Sequence, residues 1–448
     1  MNTLPHEEQI YECEQTIAQV RKQSKENDLW SKEEIVAFEQ ICEGFEDALV
    51  LSKNVSKYNT DGTSMERSGD TIWRPMPYIA QSHDGLDATS NFDGATQLSV
   101  PATLGYSRHS AVSLDGKELR DALQENRLGK AAYQKLASDI NVAIMAVAAN
   151  QGTLVVPITG AASGYADIAL ADATMNEQGV NMFDRYAALS SRDYNGMAAD
   201  LAGRQTINTK PTNAYEKSYV GDVAGFETFK LDYANRLTAA AALTVTMAAA
   251  DQYYTPVAVS TAATGESSNV DNRYQTISID VTTNTVKVGD CFTIAGVYAV
   301  HHITKEDTGQ LKTFRIIELV TGAGATGTIK ISPAIVSGQG ATDAELAYQN
   351  VTATPANGAA IVFLNIADAY VNPFWQKDSL EILPGNYAIP TDAGASVMRA
   401  TTENGIEVTM SKQYDINTFK TKYRWDVLFG VVNKQPEMSG ILLFSQIP

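Results

Sequence analysis

The chain has 448 residues, 44% of them hydrophobic, enough to bury large cores and to divide into two or three domains. Charged residues make up 19%, below the usual share of about 25% for soluble domains, so much of the surface is expected to face other protein. The formal net charge of -18 argues against binding nucleic acid by phosphate neutralisation; it suits a basic partner, or simply the solubility of an abundant cytosolic protein.

The opening MNTLPHEEQIYECEQ lacks the basic and apolar regions of a signal peptide. No window approaches the roughly 18 apolar residues of a membrane span. Cys13, Cys42 and Cys291 are odd in number and without paired spacing, which predicts a reducing compartment and no structural disulfide. Over residues 1–60, Ile35, Phe38, Cys42, Phe45 and Leu49 recur at helical steps. Glu39, Glu43 and Glu46 then share one stripe of the same helix, either a solvated face or a docking face for a basic partner helix.

From Asn59 to about Tyr106 the chain is rich in Gly, Asp, Ser, Thr and Pro and reads as extended hairpin and loop, of a kind that often serves an interface. Here Glu66, Arg67, Asp70, Trp73 and Arg74 mix opposite charges with one large aromatic, a composition fitting an intersubunit contact or a locally paired surface loop. Asp115 and Glu118 resemble a capping box. The longest helix follows and stops at Gly152; Leu119 and Leu123 lead it, and Leu136, Ile140, Ile144 and Val147 continue an apolar stripe. Charges thin out after Asp139, so its second half is expected to be the more buried.

Residues 153–240 mix short strands, such as Leu154 to Ile158, with helical turns. From about Thr238 to Thr354 β-branched residues alternate, as in Thr276 to Val281 and Thr328 to Ile331, with Gly-rich turns between. This predicts an all-β insertion, a small barrel. The segment from about 360, with apolar stretches at Ile361 to Leu364 and Ile441 to Phe444, is expected to complete the domain that the insertion interrupts.

No nucleotide-loop, nucleophile-elbow, zinc-protease or calcium-loop motif occurs. Of His6, His83, His109, His301 and His302 only the last two adjoin, and strand neighbours point to opposite faces, so a structural or surface role is expected. No catalytic residue, metal site or cofactor is predicted.

Several blocks do resemble a known family. They are Ser64 to Ser68 (SMERS) with Thr71 to Pro75 (TIWRP), Glu118 to Asp121 (ELRD), Val223 to Phe226 (VAGF), and Val270 to Arg273 (VDNR). Gly289-Asp290, Ile294 to Val297 (IAGV), Asn365-Ile366 through Ala369, Asn372 and Phe374-Trp375 follow in order. Together they resemble the P-twenty-two-like coat family of short-tailed double-stranded DNA phages over about residues 35–380, while the first 30 and last 65 residues match poorly.

The resemblance implies an α+β tailed-phage capsid fold with an inserted all-β barrel domain. Its parts would be an N-terminal arm (1–58), an extended loop (59–105), a spine-helix domain (106–160), an axial and peripheral core (161–239 and 369–448), and the insertion (240–368). It implies a major capsid protein, not an enzyme, that forms hexamers and pentamers of an icosahedral head, first as a scaffold-directed procapsid. Implied partners are the chain itself, a scaffolding protein, a portal protein and packaged double-stranded DNA held without sequence-specific binding, with no membrane; the place is the virion capsid, assembled in the host cytoplasm. In relatives a loop of the inserted domain carries aspartates that pair across the capsomer boundary. Here Ser260 to Glu266 stands there, leaving Glu266 as the candidate charge. A surface adhesion protein with a β module and a large hydrolase with paired carboxylates remain as alternatives; a signal peptide or anchor would mark the first, a pocket with two convergent carboxylates the second.

Overall fold

The computed structural model describes most of the chain from residue 51 to 446, with a few positions between 38 and 49. Residues 1–37, 59–68, nearly all of 78–95, 116–126, 204–220, 282–284, 322–325 and 388–395, and several shorter pieces, lie outside it. The Asp115–Glu118 capping box therefore falls partly outside the described residues. So do Leu119, Leu123 and Cys13. The described residues form two compact units.

The first unit comprises the described residues up to Ile72, then Ala102–Ile144 and Glu381–Val432. Its sheet has Ser56–Lys57 parallel to Leu380–Gly385, then Lys420–Asn433, Glu407–Asp415 and Ser396–Thr401, with Tyr106–Leu114 also on Lys420–Asn433. Lys420–Asn433 and Glu407–Asp415 form a long antiparallel hairpin. Alternation fixes its faces: Tyr423 and Trp425 are buried, while Lys422 and Arg424 are exposed. The helix Arg127–Gln151 begins here, and Leu136, Ala137, Ile140 and Ile144 are its buried stripe. Phe38, Phe45 and Leu49 are fully buried, as the N-terminal helical spacing predicts. A Cβ at Gly44 would run into the Tyr133 ring, so glycine lets these two helical segments approach closely.

The second unit comprises Trp73–Pro101, Met145–Leu380 and Asn433 onward. Its mixed sheet runs Leu154–Pro157, Ser439–Leu443, Asn372–Gln376, Arg185–Ser190, Phe226–Leu231 and Asp222–Val223. Helices Tyr165–Glu177 and Ser191–Gly203 connect its strands and pack Ile168, Met175 and Met197 against Leu189, Phe226 and Phe374. In the helix Arg127–Gln151 the half after Asp139 is the more buried, as the thinning of charge predicts.

The same unit holds a closed six-stranded barrel: Val245–Met247, Gln275–Val281, Thr326–Ser332, Asp307–Thr321, Cys291–Val300 and Ala360–Phe363. Residues alternate inward as the sequence pattern requires, and Ile277, Ile279, Phe292, Ile294, Phe314 and Ile329 fill the interior. Two expectations are corrected. Ala360–Phe363, which the residue pattern put in the returning segment and the resemblance put within the insertion at 240–368, closes the barrel between Val245–Met247 and Cys291–Val300. His301 and His302 sit in a turn just past strand Cys291–Val300, so strand alternation does not set their directions.

In the mixed sheet Gly440 faces Leu154, and a Cβ there would meet the Leu154 carbonyl oxygen and the Phe374 ring. Gly440→Ala is expected to lower unfolding free energy by about 1–3 kcal/mol through overpacking, read as an earlier midpoint in urea.

Candidate assembly surfaces and the seat of the barrel

Hairpin and ribbon elements carry three of the predicted contact residues, Trp73, Arg74 and Glu266. Strand Thr71–Pro75 pairs with Ser99–Thr103; Trp73 is 38% exposed, and neighbouring Arg74 is half-buried, as alternation requires. Glu66, Arg67 and Asp70 lie outside the described residues. Glu266 is exposed in the turn of a two-stranded hairpin, Val259–Thr261 with Ser267–Asn269. Gly265 at φ 89° lets that turn close, and the Ala262 N–H donates to the Glu266 carbonyl at 2.8 Å. Of the acidic stripe, Glu39 is half-buried with Oε1 shielded and without a hydrogen-bond partner. Glu43 and Glu46 lie outside the described residues.

A set of buried charges converges where the barrel meets the sheet and the helix end. Strand Asp307–Thr321 supplies Lys312 and Arg315, each 1% exposed. Lys312 Nζ lies 2.6 Å from Glu437 Oε1 and donates to Gln178 Oε1 at 3.0 Å. His302 Nε2 is 3.3 Å from Glu437 Oε2, and Asn350 Nδ2 donates to Glu437 Oε1 at 3.1 Å. Burial opposes the charge on Glu437, yet Lys312 and His302 hold its carboxyl well below the usual range. Burial pushes the nearby Lys305 ammonium from 10.5 down to about 8, against the pull of Glu437, while its Nζ donates to the Ala347 and Gln349 carbonyls.

Arg315 caps the end of the helix Arg127–Gln151: its Nη1 donates to the Ala149 carbonyl and, at 3.4 Å, to that of Gly152. A cation there complements the partial negative charge of the last helical turn. Thr313 Oγ1 donates to the Thr153 carbonyl at 2.6 Å, and Arg273 Nη1 to the Asn433 carbonyl at 2.7 Å. The barrel's two chain ends are drawn together by Asn365, whose Nδ2 donates to the Thr238 carbonyl at 3.0 Å and to Asp290 Oδ1 at 2.9 Å. The Asn365 carbonyl accepts from Ala240 N–H at 2.8 Å. Sequence reasoning missed Lys312, Arg315 and Glu437. The available signal was two cations inside the apolar run of residues 311–317; their partners are too distant in sequence to be read.

Among the described residues no three His, Cys, Asp or Glu side chains could hold a metal, and no helix is long and apolar enough to cross a membrane. Cys291 is a free thiol, and burial pushes it up to about 11.

Comparison with known proteins decides the family. A sequence profile described as "P22 coat protein - gene protein 5" matches residues 29–445. The chain belongs to the P22 coat protein family. It is a phage coat protein, a structural subunit whose place is the virion capsid. Among solved structures it is similar to the CUS-3 coat protein I-domain, at 38% identity over 27% of this chain and 96% of that one, TM-score 0.22. It is also similar to a chain of the bacteriophage PhiM1 mature capsid (10% identity, 89% and 87% covered, TM-score 0.39). A third is in the satellite phage P4 procapsid with its size determination protein (6% identity, 91% and 90% covered, TM-score 0.36).

Glu437→Gln leaves Lys312 buried without its counter-charge and is expected to cost about 3–5 kcal/mol of stability in chemical denaturation. The pH profile follows from the signs. Glu437 is depressed, so its stabilisation is present above its ordinary 4.5 and lost as pH falls below it, a dependence E437Q should flatten. Lys305 is a depressed base: the unfolded chain binds its proton more tightly, so this group makes stability rise with pH between about 8 and 10.5.

Proposed function

We propose that many copies of this chain form the hexamers and pentamers of an icosahedral phage head. The head assembles in the host cytoplasm as a procapsid around a scaffolding protein, incorporates a portal protein, and expands as double-stranded DNA is packaged. The observation that carries this reading is the family match across residues 29–445. The proposed fold is the tailed-phage capsid fold with an inserted barrel domain at 240–368, an arm at 1–58, an extended loop at 59–105, a spine-helix domain at 106–160 and a core from 161–239 and 369–448. Two features favour treating the barrel as a self-contained insertion: it closes on itself, and Asn365 ties its two ends. An insertion with its own core and joined ends closes locally.

Such a subunit needs no bond chemistry. Affinity would come from repeated modest interfaces summed over many copies. The ribbon residues Glu66, Arg67, Asp70, Trp73 and Arg74 would contribute one, and the exposed hairpin with Glu266 another. Glu39, Glu43 and Glu46 would offer an acidic stripe to a basic helix of the scaffolding protein, an attraction that salt weakens. The net charge of -18 would keep packaged DNA from adhering to the inner wall.

Expression with and without the scaffolding protein, followed by negative-stain electron microscopy, tests the whole reading. Closed shells whose size the partner controls are expected; a persistent monomer or small closed oligomer under both conditions would refute it. Charge reversal at Glu39 and Glu43 (E39K/E43K) is expected to reduce scaffold-directed closure most at low salt. Undiminished closure would remove the acidic stripe from the scaffold contact.

A further inference from the structure

The ribbon of Thr71–Pro75 and Ser99–Thr103 has no third strand among the described residues. Two strands alone are marginally stable in water, so the order of this ribbon has to come from what packs against it. The end at Met76 and Leu98 supplies that packing. Met76 N–H donates to the Leu98 carbonyl at 2.9 Å, one step beyond Pro75. Leu98, 2% exposed, clusters there with Met76 and with Ala347 and Tyr348 of the short helix Asp343–Tyr348. That helix belongs to the insertion, between barrel strands Thr326–Ser332 and Ala360–Phe363. The Tyr348 hydroxyl donates to the Thr96 carbonyl at 3.1 Å.

A second tie lies beside the first. Ser99 forms a parallel β-bridge with Asp271, just ahead of barrel strand Gln275–Val281. Buried Arg273 holds the Asp271 carboxylate with two donors, Nε at 2.9 Å and Nη2 at 2.7 Å, while its Nη1 donates to the Asn433 carbonyl. The helix is fixed as firmly. Glu345, fully buried, accepts from Gly340 N–H at 2.6 Å and from Thr255 Oγ1. Lys305 Nζ donates to the carbonyls of Ala347 and Gln349, on either side of Tyr348. Both ties therefore end on groups that charge-assisted bonds hold in one orientation.

We propose, resting on the coat reading above, that the inserted barrel anchors the ribbon, with Tyr348 and Asp271 as positioning residues for the intersubunit contact that Trp73 and Arg74 carry. Alternation along the two strands agrees with this. Leu98, Val100 and Ala102 share the buried side of their strand, whereas Thr71, Trp73 and Pro75 share an exposed side of theirs. The ribbon thus commits one set of side chains to its own subunit and leaves another for a neighbour. A ribbon ordered only on docking would lose its freedom at that moment and weaken the contact; a ribbon held beforehand does not. The barrel then acts on a contact between copies without itself touching the second copy there.

The test uses the full chain with its scaffolding partner. Tyr348→Ala cuts the tie from the barrel side, and Met76→Ser/Leu98→Ser cuts it from the ribbon side. Each should speed amide exchange across residues 96–103 at least tenfold in the free subunit, with exchange in strand Gln275–Val281 within about twofold of native. Each should also lower shell yield at least fivefold. Because both cut one joint, the combined variant should lose little more yield than either alone, whereas unrelated weaknesses would multiply. Tyr348→Phe keeps the ring in the cluster and loses only the hydroxyl bond, so it should recover most of the yield. If Y348A also speeds exchange in Gln275–Val281, M76S/L98S decides, since it leaves the barrel's own residues unchanged. Native-like exchange over 96–103 in M76S/L98S overturns the anchor, and faster exchange there with native-like shell yield overturns the positioning role. If the native chain itself forms no shells, the coat reading falls and the positioning role with it; the exchange measurement separates that failure from failure of the anchor.

Discussion

The buried ion pair between Lys312 and Glu437 is the constraint on which the barrel's placement within its unit depends. Each partner alone would be a charge stripped of water, and neither carries enough hydrogen bonds elsewhere to stand without the other. Replacing such a pair with apolar residues often costs nothing in stability, so its value lies in geometry. An apolar seat would tolerate rotation of the barrel over the sheet. Lys312, Thr313 and Arg315 instead address Glu437, the Thr153 carbonyl and the helix end, three targets that are met together in only one orientation.

This seat also links elements far apart in the chain. The end of the helix Arg127–Gln151, Thr153 just ahead of strand Leu154–Pro157 and the returning segment around Pro436–Met438 all present carbonyls or carboxylates to one barrel strand. Beneath it, Cys291 at the barrel's base packs with Ala149, Val155, Ile441 and Leu443, so an apolar layer excludes water from the polar one. Low local dielectric strengthens satisfied contacts and penalises unsatisfied ones alike. His302 Nδ1 and Arg315 Nε, buried without partners, mark where this seat carries that penalty.

What the sequence made legible follows from range. Period-two alternation in Gln275–Val281 and the helical stripe from Leu136 to Val147 are local, and both are buried where the spacing requires. The existence of a barrel followed from the same alternation. Its closing strand did not: Ala360–Phe363 is short, and only its pairing with Val245–Met247 reveals its place. The partners of Lys312 and Arg315 lie in other segments, so no pattern near them tells a buried cation from a surface one. The ribbon and arm residues stand out as contact candidates by composition and spacing alone, because contacts between copies would show in surface chemistry rather than in pairing within the chain.

The chain carries few charges and several exposed apolar side chains at once. A subunit that closes a shell must bind several neighbours without any one contact being strong enough to trap a wrong arrangement; modest interfaces allow errors to dissociate, and their sum holds the finished assembly. Fixed hairpins and loops serve this design better than flexible ones, because each contact then gives up little entropy and can stay small. The tight Ala262–Glu266 turn and the loop held by Arg185 are both fixed in this way: polar bonds inside the protomer settle their shape.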